Sequence, residues 1–208
     1  MIPFGSSVAK ISAEAFISPN SVVAGDVCIG DRTSIWYGAI VRGDENAVSI
    51  GAVTSIQERA VITTDCEHTD ISIDTDGTGG RVAGFPGSVQ IGDYVTIEAG
   101  CILRACSVAS KVIIGAGSVI CEGALIESGS IIGAGSVVPP GRRVPAGQLW
   151  SGRPVAFVRE LSAVDEEAIM DTAVENYHRS IDHLNACYPI EHHTMLHQHA
   201  KHAYDSNH

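Results

Sequence analysis

Clusters of basic residues and long apolar runs are both missing from this 208-residue sequence. It holds 13 Lys and Arg against 24 Asp and Glu, which gives a formal net charge of −11. Binding a polyanion needs clustered Lys or Arg, so the balance argues against nucleic acid and against direct contact with an anionic membrane. No apolar run approaches the length of a bilayer span. The first ten residues lack the long apolar segment of a secretory signal.

Aromatic residues are also scarce, at 5% of the chain, whereas hydrophobic residues make up 45%. This composition predicts one folded domain, with or without an appendage, around an aliphatic core. The six cysteines are irregularly spaced and include no CxxC pair. They are therefore predicted to be ordinary thiols in a reducing compartment rather than a disulfide framework.

The strongest pattern is an aliphatic residue that recurs every six positions. It occupies 18 positions: Ile17, Val23, Ile29, Ile35, Val41, Ile50, Ile56, Ile62, Ile91, Ile97, Leu103, Val108, Ile114, Ile120, Ile126, Ile132, Val138 and Val144. The residue two places earlier is usually small or β-branched. A period of six is typical of hexapeptide prisms, in which three short strands form one coil. The sequence thus predicts an all-β, left-handed parallel β-helix of about six coils.

Two segments fall outside the repeat. Residues 65–88 predict a loop that leaves the prism, with a small hairpin at Ile71–Ile73. After Ser162, acidic residues followed by a helically spaced apolar stripe predict a C-terminal α-helix. That stripe comprises Met170, Ala173, Val174, Tyr177, Ile181 and Leu184. We therefore expect a β-helix over 1–160, a helix over 161–187 and a flexible histidine-rich tail over 188–208.

Three motifs resemble the γ-class carbonic anhydrases. They are SIWYGAIVRGD at 34–44, SIQ at 55–57 and LWSGRP at 149–154. The helix fragment ENY at 175–177 is similar to that of mitochondrial members. In that family three histidines hold a metal ion between neighbouring subunits of a trimer. The resemblance therefore implies a trimer of β-helices here.

The three histidine positions of the family are not histidines in this sequence. They fall on Thr63, Ala99 and Arg104. Zinc catalysis needs three protein ligands and an open position for water. Threonine is a poor ligand, alanine is none, and arginine is permanently charged. We therefore expect no metal, no cofactor, no catalytic residue and no hydration of carbon dioxide.

Other family positions are retained. Arg42 and Asp44 match residues that pair across the subunit interface, and Glu45 and Gln57 match neighbours of the former active site. Because an outward arginine in a subunit crevice needs a partner, we expect Arg104 to pair with Glu98 or with an acidic residue of an adjacent subunit.

The resemblance implies a non-catalytic structural subunit. Its mitochondrial branch forms heterotrimers of γ-carbonic anhydrase-like chains on the matrix side of respiratory complex I, the NADH dehydrogenase. This chain would then be peripheral to the inner membrane, held by membrane-arm subunits. The alternatives are a freestanding enzyme, either a carbonic anhydrase or an acyltransferase using His68 as base, and a homotrimeric binding module. Cys66 with His68, or the histidines at 192, 193, 197 and 199, could instead bind a metal.

Overall fold

The chain folds as a left-handed parallel β-helix of about seven coils with one helix packed on its side. The computed structural model describes residues 8–65, 70–71, 82–83 and 86–187. Each coil contributes short strands to three faces, and equivalent strands of successive coils pair in parallel. The inward aliphatic residues stack in register, as in the series Ile35, Ile56 and Ile97. These side chains are fully buried and form one continuous core.

The first face, here called the helix-covered face, ends in an antiparallel strand. Its strands are Phe16–Ile17, Ser34–Ile35, Ser55–Ile56, Thr96–Ile97, Ile113–Ile114, Ile131–Ile132, Gln148–Gly152 and the antiparallel Val155–Glu160.

The other two faces share two long strands, Val22–Ile29 and Ile40–Ile50, which turn the corner between them. The aliphatic face continues from them with Val61–Thr63, Ile102–Arg104, Val119–Ile120 and Val137–Val138. The polar face comprises Lys10–Ile11, the second halves of the two long strands, Val89–Ile91, Ser107–Val108, Leu125–Ile126 and Arg143–Val144.

The prism is longer than the predicted six coils, because the repeat extends by one hexapeptide at each end. Ile11 pairs in register with Ile29, and Trp150 pairs with Ile132. The first of these continues the six-residue spacing back from Ile17. At the other end the inward residue is Trp150, an aromatic side chain that the aliphatic pattern does not include.

One corner of the prism is built from residues in the left-handed backbone region that are not glycine. Val53, Tyr94 and Lys111 have φ values of 53°, 56° and 61°. Each donates its amide to a carbonyl of the preceding coil, at 2.8–2.9 Å. A β-branched residue such as Val53 pays a steric cost in this region. The stacked backbone hydrogen bonds of the corner offset that cost.

The C-terminal helix, α1, runs from Ala163 to Cys187. Its first turn is fixed by a reciprocal cap, in which the Asp165 amide donates to Ser162 Oγ at 3.3 Å and the Ser162 amide donates to Asp165 Oδ2 at 2.8 Å. The two terminal guanidinium nitrogens of Arg159, Nη1 and Nη2, also donate to the Asp165 carboxylate, each at 2.8 Å.

Helix α1 lies on the first four strands of the helix-covered face. Its buried side consists of Ile169, Ala173, Asn176 and Ser180. The predicted apolar stripe is therefore displaced, since only Ala173 belongs to both sets and Val174 is 38% exposed. The helix docks through small and polar side chains because the strands beneath it present hydroxyl groups. One of these, Thr96 Oγ1, accepts a hydrogen bond from Asn176 Nδ2 at 3.4 Å.

The insert between the strands Val61–Thr63 and Val89–Ile91 contains a short antiparallel pair, Asp70–Ile71 with Val82–Ala83. This pair occupies the region of the predicted hairpin, of which residues 72–73 lie outside the described residues. Within the part of the chain that the structure describes, no helix is both long enough and apolar enough to cross a bilayer.

Candidate functional site

The aliphatic face carries a row of outward-pointing aliphatic side chains, one on each of six successive strands. The row comprises Val22, Ile40, Val61, Ile102, Val119 and Val137, aligned by the strand register. Ile102 at its centre is 46% exposed. The matching outward row on the polar face is Lys10, Cys28, Ser49, Gln90, Ser107, Leu125 and Arg143. The row on the polar face is mixed, whereas the row on the aliphatic face is unbroken. An unbroken apolar row is typical of a surface that a protein partner covers.

A second outward row runs beside the first and contains two of the former metal positions. Thr63 is paired in register with Arg42 on one side and with Arg104 on the other. Ala99 lies in the turn that precedes this face, five residues before Arg104. One chain therefore brings Thr63 and Arg104 together on neighbouring strands, whereas Ala99 lies in the turn before the strand Ile102–Arg104.

Arg104 forms ion pairs within its own chain. Its Nη2 lies 2.6 Å from Asp65 Oδ2, and its Nη1 lies 3.5 Å from Glu122 Oε1. The Asp65 side chain is only 11% exposed, whereas that of Arg104 is 50% exposed. The prediction that Arg104 pairs with Glu98 of its own chain is wrong. Glu98 Oε2 instead accepts a hydrogen bond from the Ala116 amide at 2.8 Å. This hydrogen bond joins the coil of Glu98 to the next coil.

Asp65 also ties together the two ends of the insert. Its amide donates to the Gly87 carbonyl at 2.9 Å, and its carbonyl accepts the Asn46 side-chain amide at 2.6 Å. A Cβ added at Gly87 would lie 2.0 Å from the Asp65 carbonyl oxygen, so only glycine allows this approach. Arg104 is thereby connected to the root of the insert as well as to the aliphatic face.

The retained family residues are dispersed around this network. Arg42 forms an ion pair with Asp44 of the same chain, and the Asp44 carboxylate is nearly buried. Glu45 is exposed, and its amide donates to Thr64 Oγ1 at 3.4 Å. Gln57 is half-buried in the turn after the strand Ser55–Ile56. Pairing of Arg42 and Asp44 across a subunit boundary stays a prediction.

The side chains at the former metal positions do not fit a zinc ion. Thr63 offers a neutral hydroxyl, Ala99 offers no donor, and Arg104 brings a fixed cation already engaged by two carboxylates. Across the described ranges, no three His, Cys, Asp or Glu side chains are grouped to hold a metal. Cys66, His68 and the histidines beyond position 187 lie outside the described residues.

Three cysteines in and around the core are poor nucleophiles. Burial raises the pKa of Cys106 to about 12, and it also raises the pKa of Cys101. Cys121 follows Arg104 in the second outward row. Burial is the main cause of its raised pKa, the Glu122 charge adds to it, and Arg104 partly opposes it. None of these thiols therefore supplies a reactive thiolate beside the former metal positions.

Sequence reasoning missed both partners of Arg104. Leu103 pairs with Ile120, so the residue one coil after Arg104 is Cys121, and Glu122 is the next residue along the chain. The repeat therefore brings Glu122 near Arg104 without aligning the two. Asp65 gave no such signal, because it stands where the repeat is interrupted by the insert. Its position became clear only from the backbone hydrogen bond to Gly87.

Comparison with known proteins places this arrangement in a family. Gamma carbonic anhydrase-like 1, mitochondrial, of Arabidopsis thaliana is 40% identical over 91% of this chain and 70% of its own length. The chain belongs to the γ-carbonic anhydrase-like family. Gamma carbonic anhydrase 1, mitochondrial, of the same plant is 35% identical over 80% of the chain, which spans 56% of that relative.

Two further comparisons concern a family model and a solved structure. The family model described as Dynactin subunit 5 matches residues 5–185, so the chain also belongs to the family that this model describes. A solved hexapeptide transferase family protein from Anaplasma phagocytophilum superposes with a TM-score of 0.75 at 32% identity. That superposition covers 87% of this chain and 96% of the other.

Proposed function

We propose that this γ-carbonic anhydrase-like chain is a non-catalytic structural subunit of a trimer on the matrix side of mitochondrial complex I. The observation that carries the proposal is the second outward row of the aliphatic face. At the place of two metal ligands, Thr63 stands beside an Arg104 that is neutralised by Asp65 and Glu122. Hydration chemistry has no ligand set there, whereas the surface suited to association is kept.

The trimer itself is supported by the outward aliphatic row. Six aligned aliphatic side chains in contact with water would be costly for an isolated monomer, and burying them against a neighbouring chain removes that cost. Hexapeptide-repeat relatives typically form trimers. Related γ-carbonic anhydrase-like chains are the proposed partners, with complex I membrane-arm subunits on a further surface.

The names of two relatives support the mitochondrial location. Those at 40% and 35% identity carry the word mitochondrial in their names. The charge of −11 is compatible with attachment through protein contacts rather than through an anionic lipid surface.

A second assembly is favoured by one specific observation. The matching family model is named for a subunit of dynactin, and it covers residues 5–185. In this case the same prism would serve as a structural subunit of dynactin instead of complex I. Both candidates share the non-catalytic role and differ only in the assembly.

The deciding experiment is native electrophoresis of gently solubilised cells that express the full-length chain with a small affinity tag. Comigration with NADH dehydrogenase activity, and copurification of complex I membrane-arm proteins, would support the proposal. Copurification with dynactin would replace it with the second candidate. A free particle of three chains' mass would contradict both candidates and favour a homotrimeric module.

The absence of catalysis is tested on the same purified material by measuring carbon dioxide hydration. We expect the rate to equal that of buffer. Activity that disappears on substitution of Thr63 or Arg104 would contradict the non-catalytic role.

A further inference from the structure

Three side chains with metal-binding atoms meet where the end of helix α1 touches the prism. His183 and Cys187 are one helical turn apart and so lie on the same side of the helix. The Tyr37 hydroxyl lies 3.0 Å from His183 Nδ1 and 3.2 Å from Cys187 Sγ. All three residues are half-buried. The site is separate from the aliphatic face and uses none of its residues.

Aromatic rings fix the orientation of the imidazole. The Trp36 ring meets the His183 ring edge to face, with centroids 5.0 Å apart. The rings of Tyr37 and Phe16 lie 5.6 Å and 6.4 Å from it. Trp36 is held in turn by hydrogen bonds from its indole nitrogen to Ser34 Oγ at 3.0 Å and Ser55 Oγ at 2.9 Å. The nitrogen that faces Tyr37 is thus preorganised.

We propose that Tyr37, His183 and Cys187 form a binding site for a thiophilic divalent cation of the Zn²⁺ class. Zinc takes sulfur at about 2.3 Å and nitrogen or oxygen at about 2.0 Å in tetrahedral geometry. Those bond lengths place the oxygen about 3.3 Å from the nitrogen and about 3.5 Å from the sulfur. The observed separations of 3.0 and 3.2 Å need to open by only a few tenths of an ångström.

Binding replaces the two hydrogen bonds by coordinate bonds. The Cys187 thiol and the Tyr37 phenol each release a proton to solvent, and the imidazole donates the lone pair of Nδ1. No electron transfer is involved. The cation then joins the last turn of helix α1 to the turn after strand Ser34–Ile35. The ion would hold the helix on the prism, and its place differs from that of the family's metal.

The test titrates Co²⁺ into the full-length reduced protein and records its visible and near-ultraviolet absorption. We expect one equivalent to bind with the intense bands of tetrahedral Co²⁺ and a thiolate-to-metal charge-transfer band. The substitutions C187S and H183Q should each weaken binding at least tenfold. C187S should remove the charge-transfer band, and Y37F should weaken binding without removing it. Zn²⁺ should displace Co²⁺ and protect Cys187 from alkylation.

The matched control is C28S, which removes an exposed thiol on the polar face and should leave the spectrum unchanged. Circular dichroism of every variant checks that the helix is retained. Binding with no thiolate band, or with a band that survives C187S, would assign the metal to other residues and overturn the proposal. A cation lost on substitution of Thr63 rather than Cys187 would instead contradict the absence of metal from the family position. The two proposals therefore fail by different results.

Discussion

The helix-covered face and the aliphatic face have the same inward ladders of Ile, Val and Leu and opposite outward surfaces. Beneath helix α1 the outward residues include Ser34, Ser55 and Thr96, whose hydroxyls bond to Trp36 and Asn176. On the aliphatic face the first outward row is Val or Ile on six successive strands. A face that is already covered within the chain uses specific hydrogen bonds. The aliphatic face instead exposes apolar side chains such as Ile102, which is 46% exposed.

The largest effect on stability is expected on the covered side. Ile169 is the largest apolar side chain that helix α1 buries against the prism. The substitution I169A should reduce the free energy of unfolding by about 3 kcal/mol, because it removes buried methyl groups and leaves a cavity. Urea denaturation followed by circular dichroism measures the loss.

The control for that substitution is V174A, on the same helix at a side chain that is 38% exposed. It should change the free energy of unfolding by about 0.5 kcal/mol or less. Equal losses for the two variants would show that the helix does not dock as described.

The next effect concerns the aliphatic face and association rather than folding. The substitution I102D places a charge in the middle of the outward row and should weaken self-association or binding to related chains at least tenfold, or about 1.4 kcal/mol. L125D is the matched control, because Leu125 is 40% exposed and lies on the polar face. Sedimentation of both proteins at several concentrations measures the difference.

The secondary structure of I102D should be unchanged, since Ile102 points outward. Should L125D dissociate the oligomer and I102D leave it intact, the partner surface would have to be moved to the polar face.

The prism could be predicted from the sequence because one physical constraint repeats with a fixed period. Each coil must fill the same interior, so Ile, Val or Leu returns every six residues. The aliphatic pattern does not reach the end of the prism, because the last inward side chain is Trp150. The cap at Ser162 predicts the start of the helix, but apolar spacing does not predict its buried side. Apolarity suggested Met170 and Val174, whereas the hydroxyls beneath the helix select Asn176 and Ser180.

The candidate site could be predicted only in part, for a similar reason. Register within the repeat places Arg104 beside Thr63. The motif resemblance matches both positions to metal-binding histidines of the family. The partner of Arg104 depended on Asp65, whose location is set by the closing of the insert on itself. Likewise, Tyr37 and His183 are 146 residues apart, and no periodicity links a prism turn to a helix end.

Removing an ion pair of the second outward row should have a smaller energetic effect than the substitutions at Ile169 and Ile102. R104Q removes the Arg104 ion pair from the nearly buried Asp65 carboxylate and should lower the free energy of unfolding by about 1 kcal/mol. R143Q on the polar face is the control, because Arg143 bonds Glu127 at 2.6 Å in an exposed setting. It should cost about 0.5 kcal/mol or less.

Both arginine variants are best measured by urea denaturation in the I102D background, where association contributes less to the measured stability. A larger loss of unfolding free energy for R143Q than for R104Q would contradict the structural role assigned to Arg104.

The smallest effect is a pH dependence at the start of helix α1. The Arg159 guanidinium, together with hydrogen bonds from Ser162, lowers the pKa of Asp165 from its ordinary value of 3.8. A carboxyl group whose pKa is lower in the folded protein stabilises it above the unfolded value and loses that contribution as the pH falls toward the folded value. D165N should therefore be less stable than the parent protein at pH 7, and the difference should shrink progressively below about pH 4. Thermal unfolding between pH 7 and pH 2.5 measures it, and the control E166Q removes the other carboxylate of the same turn. A difference that stays constant over this range would mean that the cap, and not the charge of Asp165, provides the stabilisation.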